Sequence, residues 1–96
     1  MISEADFNYY DLLLVEWGKW VRSEYMGDNL AKFTAGIGSS LSDEEGLQID
    51  RVIAKCADPI KKMIKRVYLW RDVSIDTRVL KQYIDEFYKE YHRDAA

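Results

Sequence analysis

Apolar residues recur at three- and four-residue intervals through most of this chain, and nowhere do they alternate singly with polar residues as a half-buried strand requires. That pattern leaves helices as the material of the fold. The first stripe is Phe7, Tyr10, Leu14, Trp17 and Val21, widened by Leu13, Trp20 and Met26 into a face broad enough to contact several neighbours. Ser3 followed by Asp6 resembles a capping box, and Gly27 is a natural stop, so a helix is predicted over about residues 4–26. A connection over about residues 28–41, holding Gly36, Gly38, Ser39 and Ser40, separates it from the rest and is expected to be the most mobile part of the chain.

Three further helices follow. Ser42 with Glu45 caps one over about 43–56, Asp43 and Glu44 complement its dipole, and Leu47, Ile49, Val52, Ile53 and Cys56 form its inner side. Asp58-Pro59 opens another over about 59–70, with Ile60, Met63, Ile64 and Val67 inward and Trp70 as the last candidate. Ser74 or Asp76 caps the fourth, over about 75–92, on a near-heptad stripe of Ile75, Val79, Leu80, Tyr83, Ile84, Phe87 and Tyr91. Ninety-six residues with 48% hydrophobic content fill one core. The expectation is all-α: one compact four-helix domain spanning 1–96.

Chemistry-bearing constellations are scarce. Cys56, the single cysteine, has no disulfide partner within the chain and falls on an apolar helix face, where such a residue behaves as a small hydrophobe. With His92 it is two ligands short of a zinc site. His92 itself reads as a solvated histidine near a frayed end, and Gly36-Ile37-Gly38 lacks the Lys-Ser/Thr of a phosphate loop. Asp43-Glu44-Glu45 with Asp50 reads as helix capping before metal binding. No catalytic residue, cofactor or metal is therefore predicted, and the expected activity is binding, not catalysis. No apolar run is long enough to span a membrane and Met1-Ile2-Ser3-Glu4 starts no signal peptide, so a cytoplasmic protein without membrane contact is expected.

Charge is divided along the chain. Residues 1–54 hold ten acidic and four basic groups, a net of −6, whereas residues 55–96 carry a net of +3. The basic half supplies the candidate DNA-binding residues: Arg71, Arg78 and Lys81 near the start of the last helix, with Lys61, Lys62, Lys65 and Arg66 for phosphates. The same seven read equally as a solvated face opposite a core stripe. Asp72 and Asp76 oppose phosphate approach, and an overall charge of −3 gives little bulk attraction to DNA.

Two strings carry more. Trp17-Gly18-Lys19-Trp20-Val21-Arg22 puts glycine inside a helix, where it costs roughly 0.5–1 kcal/mol relative to alanine, so close approach of another backbone is expected there. Ser42-Asp43-Glu44-Glu45-Gly46-Leu47-Gln48-Ile49-Asp50 leads a capping box into a second helical glycine. In this order, across a Gly/Ser-bearing loop, they resemble the phage antitermination protein Q family, with its W-G-x-W-x-R and S-D-D/E-x-G-L-x-I-D segments. The resemblance spans about residues 10–91.

The resemblance implies a phage transcription regulator in the cytoplasm of a bacterial host, loading onto RNA polymerase and recognising late-promoter DNA. It also implies a helix-turn-helix after the second string. Here Tyr68, a turn near Arg71 to Val73, and Ser74 match its beginning, but the turn glycine is absent and one continuous helix follows. A degenerate or truncated helix-turn-helix is the expectation. RNA polymerase or another host protein is then the expected partner, with double-stranded DNA second. The alternative is a small phage or prophage module that inhibits or redirects a host factor without touching nucleic acid. Homo-oligomerisation through the last helix is left open.

Overall fold

The computed structural model describes residues 2–25, 40–72 and 74–95. Ser3 starts the first helix by accepting the Asp6 N–H on Oγ at 3.1 Å. This helix, α1 (Glu4–Tyr25), buries Phe7, Tyr10, Leu14, Trp17 and Trp20, with Leu13 and Val21 half-buried. The expected stop at Gly27 and the 28–39 part of the expected connection lie outside the described residues.

Ser42 caps α2 (Asp43–Lys55): its Oγ accepts the Glu45 N–H at 3.2 Å and donates to Glu45 Oε1 at 3.1 Å. Gly46, Ile49, Val52 and Ile53 form the buried side, closed by Cys56. Leu47, expected inside, is 53% exposed. The face runs 46, 49, 52/53, 56, and Leu47 falls two positions before Ile49, roughly 200° around the helix from it.

The third helix, α3 (Asp58–Ile64), has Pro59 in its first turn, where no hydrogen bond is lost, and the Ala57 carbonyl accepts the Ile60 and Lys61 N–H groups. It does not stay α-helical to Trp70 as the periodicity predicts. Lys65–Leu69 form a π-helical turn, closed by Trp70 N–H to the Lys65 carbonyl at 2.9 Å. The wider turn changes the register: Ile64 and Tyr68 are buried, Val67 is only half-buried, and Trp70, counted with the core from sequence, is 68% exposed. The turn ends on Arg71 at φ 58°, and the Asp72 N–H returns to the Arg66 carbonyl at 3.0 Å. This is the left-handed helix stop that glycine usually provides; a side chain there costs about 1–2 kcal/mol.

The last helix, α4 (Thr77–Ala95), is capped by Asp76, whose Oδ1 accepts the Arg78 N–H at 2.7 Å. It is unbroken, and between the π turn and it there is no separate short helix among the described residues. Ile84 and Phe87 are its fully buried residues, with Leu80, Tyr88 and Tyr91 packed around them, while Val79 turns outward. All described secondary structure is helical, and all four helices share one core. Burying each large apolar side chain contributes roughly 1.5–3 kcal/mol.

Candidate interaction surface

The two strings singled out above meet in space. A Cβ on Gly18 would lie 2.2 Å from the Tyr68 carbonyl oxygen, so glycine is what lets the π turn rest directly on α1. One turn further along α1, Arg22 Nη1 donates to the Tyr68 and Leu69 carbonyls at 3.0 and 3.2 Å. Arg22 thus satisfies carbonyls at the end of a neighbouring helix. Trp20 reaches the other way: its ring lies where a Gly46 Cβ would come within 2.4 Å, and its Nε1 donates to Asp43 Oδ1 at 3.1 Å. Glycines, tryptophan, aspartate and arginine of both strings therefore form one joint between α1, α2 and the π turn. Tyr68 completes it by donating its hydroxyl to Asp11 Oδ1 at 2.5 Å, which, after burial itself, raises its pKa.

The candidate DNA-binding cations are split in their arrangement. Lys61 pairs with Asp58 at 3.6 Å, Arg66 with Asp72, Arg78 with Asp76 at 3.9 Å, and Lys81 with Glu4 at 4.0 Å while lying 5.4 Å over the Phe7 ring. Asp72 is held at about 2, chiefly by hydrogen bonds from Ser74 and then Arg66, so it stays anionic beside the turn. Lys62, Lys65 and Arg71 have no carboxylate partner among the described residues. Lys81 sits by Phe7, and Arg71 lies close enough to Arg22 to help burial lower that guanidinium's pKa. Phe7 and Arg22 are about 22 Å apart along α1 at 1.5 Å per residue. The α4 cations thus lie toward the start of α1 and Arg71 toward its end. Along α4, Arg78 and Lys81 share a groove with Gln82, Asp85 and Glu86, a lining of both signs.

Other titratable groups serve the packing. Cys56 is buried, its thiol donating to the Val52 carbonyl at 3.4 Å, and burial pushes its pKa up to about 11. His92 is exposed, as expected of a solvated histidine, but it lies within α4, and its Nε2 is 3.1 Å from the Tyr10 hydroxyl in a cluster of Tyr9, Tyr10, Tyr88 and Tyr91. Asp94 bridges Arg51 at 3.0 Å and Lys55 at 2.6 Å, tying α4 to α2. No group of three or more His, Cys, Asp or Glu residues suited to a metal occurs among the described residues, and no described helix is long and apolar enough to cross a membrane. Sequence reasoning missed Trp70 as a surface residue. The available signal was its place directly before the Arg71-Asp72 break, where the helical register ends.

Compared with family models, curated proteins and solved structures, the chain finds no match.

Proposed function

We propose that this chain is a transcription regulator of the antitermination type that acts by binding protein, with RNA polymerase as its principal partner and DNA as a secondary contact. The observation that carries the reading is the joint itself. The two strings that resemble the antitermination protein Q family answer one structural demand: Gly18 and Gly46 make room, while Trp20 and Arg22 fill it. Protein is preferred over DNA because four of the seven candidate cations are ion-paired within the chain and the Arg78 N–H in the first turn of α4 is engaged by Asp76. Phosphate binding strength follows the number of cations free to neutralise the backbone, and three are few.

The test is a titration of labelled protein with purified bacterial RNA polymerase, beside duplex DNA at low and physiological salt. Polymerase should bind at physiological salt, and DNA only at low salt. Tight, salt-resistant binding to DNA alone would overturn the proposal. The second reading, a module that redirects a different host protein, is favoured by the exposure of Tyr9 (57%) and Leu12 (64%) on α1; it gains if polymerase does not bind at all.

A further inference from the structure

We infer that the end of the π turn, centred on Trp70 and Arg71 and continued back along the chain by Lys65 and Lys62, is the docking surface for an acidic, apolar-bearing segment of a protein partner. The inference rests on the reading that the partner is a protein, and it names the surface and the chemistry that surface takes.

Three observations meet here. Trp70 is the most exposed large hydrophobic residue described, although the other two tryptophans are buried at 1% and 5% exposure. Its neighbour Arg71 holds a backbone conformation, φ 58°, that side chains rarely adopt and that glycine would adopt without strain. Strain kept at one residue points to a use for its side chain. Among the described residues that use is not internal: Arg22 already satisfies the carbonyls at this end of the π turn, and Arg71 makes no ion pair there. Lys62 on α3 and Lys65 at the start of the π turn are exposed without a carboxylate partner among the described residues. The Lys65 carbonyl accepts the Trp70 N–H at 2.9 Å, and Lys62 lies about one helical turn before Lys65. An exposed indole and three cations without a carboxylate partner among the described residues are complementary to a segment that brings an apolar anchor and negative charge.

Nucleic acid suits this surface less well. Strand-binding grooves stack successive bases on several aromatics and track phosphates with a row of cations. Here one large exposed aromatic stands on the turn among the described residues, and Asp72, two residues on, sets a carboxylate against Arg66. A protein interface, by contrast, concentrates its affinity in a few central residues, of which Trp and Arg are the most enriched.

The burial of Trp17 and Trp20 makes acrylamide quenching of tryptophan fluorescence a selective reading of Trp70. The probes are a synthetic helical peptide with leucines on one face and glutamates elsewhere, polyglutamate of equal length, and single-stranded and duplex DNA, all at physiological salt. The leucine-glutamate peptide should protect Trp70, and polyglutamate and DNA should protect it much less. Anisotropy of the labelled peptide then measures variants. Arg71→Gly should melt higher than the parent yet bind about fivefold or more weakly, as should Trp70→Ala. Higher stability with unchanged affinity would overturn the inference, as would equal protection by DNA or none by the peptide. Purified RNA polymerase separates the two readings. If it binds parent, Trp70→Ala and Arg71→Gly equally, the surface is wrong and the polymerase reading stands. If the peptide protects Trp70 and polymerase does not bind, the surface stands and the polymerase reading falls.

Discussion

Gly18→Ala is the substitution on which helix propensity and tertiary packing disagree most sharply. By propensity alone it should stabilise α1 by about 1 kcal/mol. The new methyl would instead stand 2.2 Å from the Tyr68 carbonyl oxygen and 3.1 Å from its carbon, whereas carbon–oxygen contacts settle at about 3.3–3.6 Å. The obstacle is backbone, so relief requires the π turn to move by about 1 Å. Overpacking of this kind costs about 1–3 kcal/mol. The same movement withdraws the Tyr68 and Leu69 carbonyls from Arg22, and a hydrogen bond from a charged donor contributes about 1.5–3 kcal/mol. Setting the propensity gain against these losses leaves a net destabilisation of about 3 kcal/mol, on the order of 10–20 °C in Tm for a domain of this size. Thermal and urea unfolding of parent, Gly18→Ala, Arg22→Met and the double variant measure it. If the methyl acts by pushing the carbonyls off Arg22, the double variant loses less than the sum of the singles. A Gly18→Ala protein that melts at or above the parent would refute the close-approach argument.

Gly46→Ala should also destabilise, by about 1–2 kcal/mol after the propensity gain, because the Trp20 ring it meets at 2.4 Å is buried and tethered to Asp43; a changed tryptophan emission should accompany the loss. Tyr68→Phe removes the hydroxyl that donates to Asp11 and should cost about 1.5 kcal/mol in urea unfolding. In alkali, Tyr10 is raised from 10.0 to about 12, first by burial and then by neighbouring tyrosines, and Cys56 from 9.0 to about 11 by burial. Both folded values lie above the unfolded ones, so their stabilisation is complete below about pH 9 and is lost as pH rises toward 11–12; unfolding midpoints should fall across that window, less steeply in Cys56→Ala. The same burial should keep the Cys56 thiol unreactive toward a thiol reagent at pH 8 until denaturant is added, and rapid labelling of the native protein would contradict its placement.

Sequence periodicity was sufficient for the helices because each must bury one stripe whatever it packs against. The inward residues Phe7, Leu14, Trp17, Ile49, Val52, Ile64, Ile84 and Phe87 were all legible, as were the Ser3 and Ser42 caps, which act within a single turn. The glycine at position 18 also announced a close approach, since nothing local justifies it. What approaches was not legible. That the Tyr68 carbonyl meets Gly18, that Arg22 donates across to the π turn, and that Trp20 lies over Gly46 depend on how distant segments are juxtaposed, and no spacing rule encodes that. The candidate cations show the same division. Their identity and helical placement could be read from the chain, but whether each is free depended on carboxylates brought near by packing, as Glu4 is to Lys81. Trp70 is the clearest case. A π turn inserts into a helix whose composition is ordinary, and the register change it causes puts Tyr68 in the core and the tryptophan on the surface; only the tertiary contact with Gly18 and Arg22 decided which of the two aromatics would be left outside.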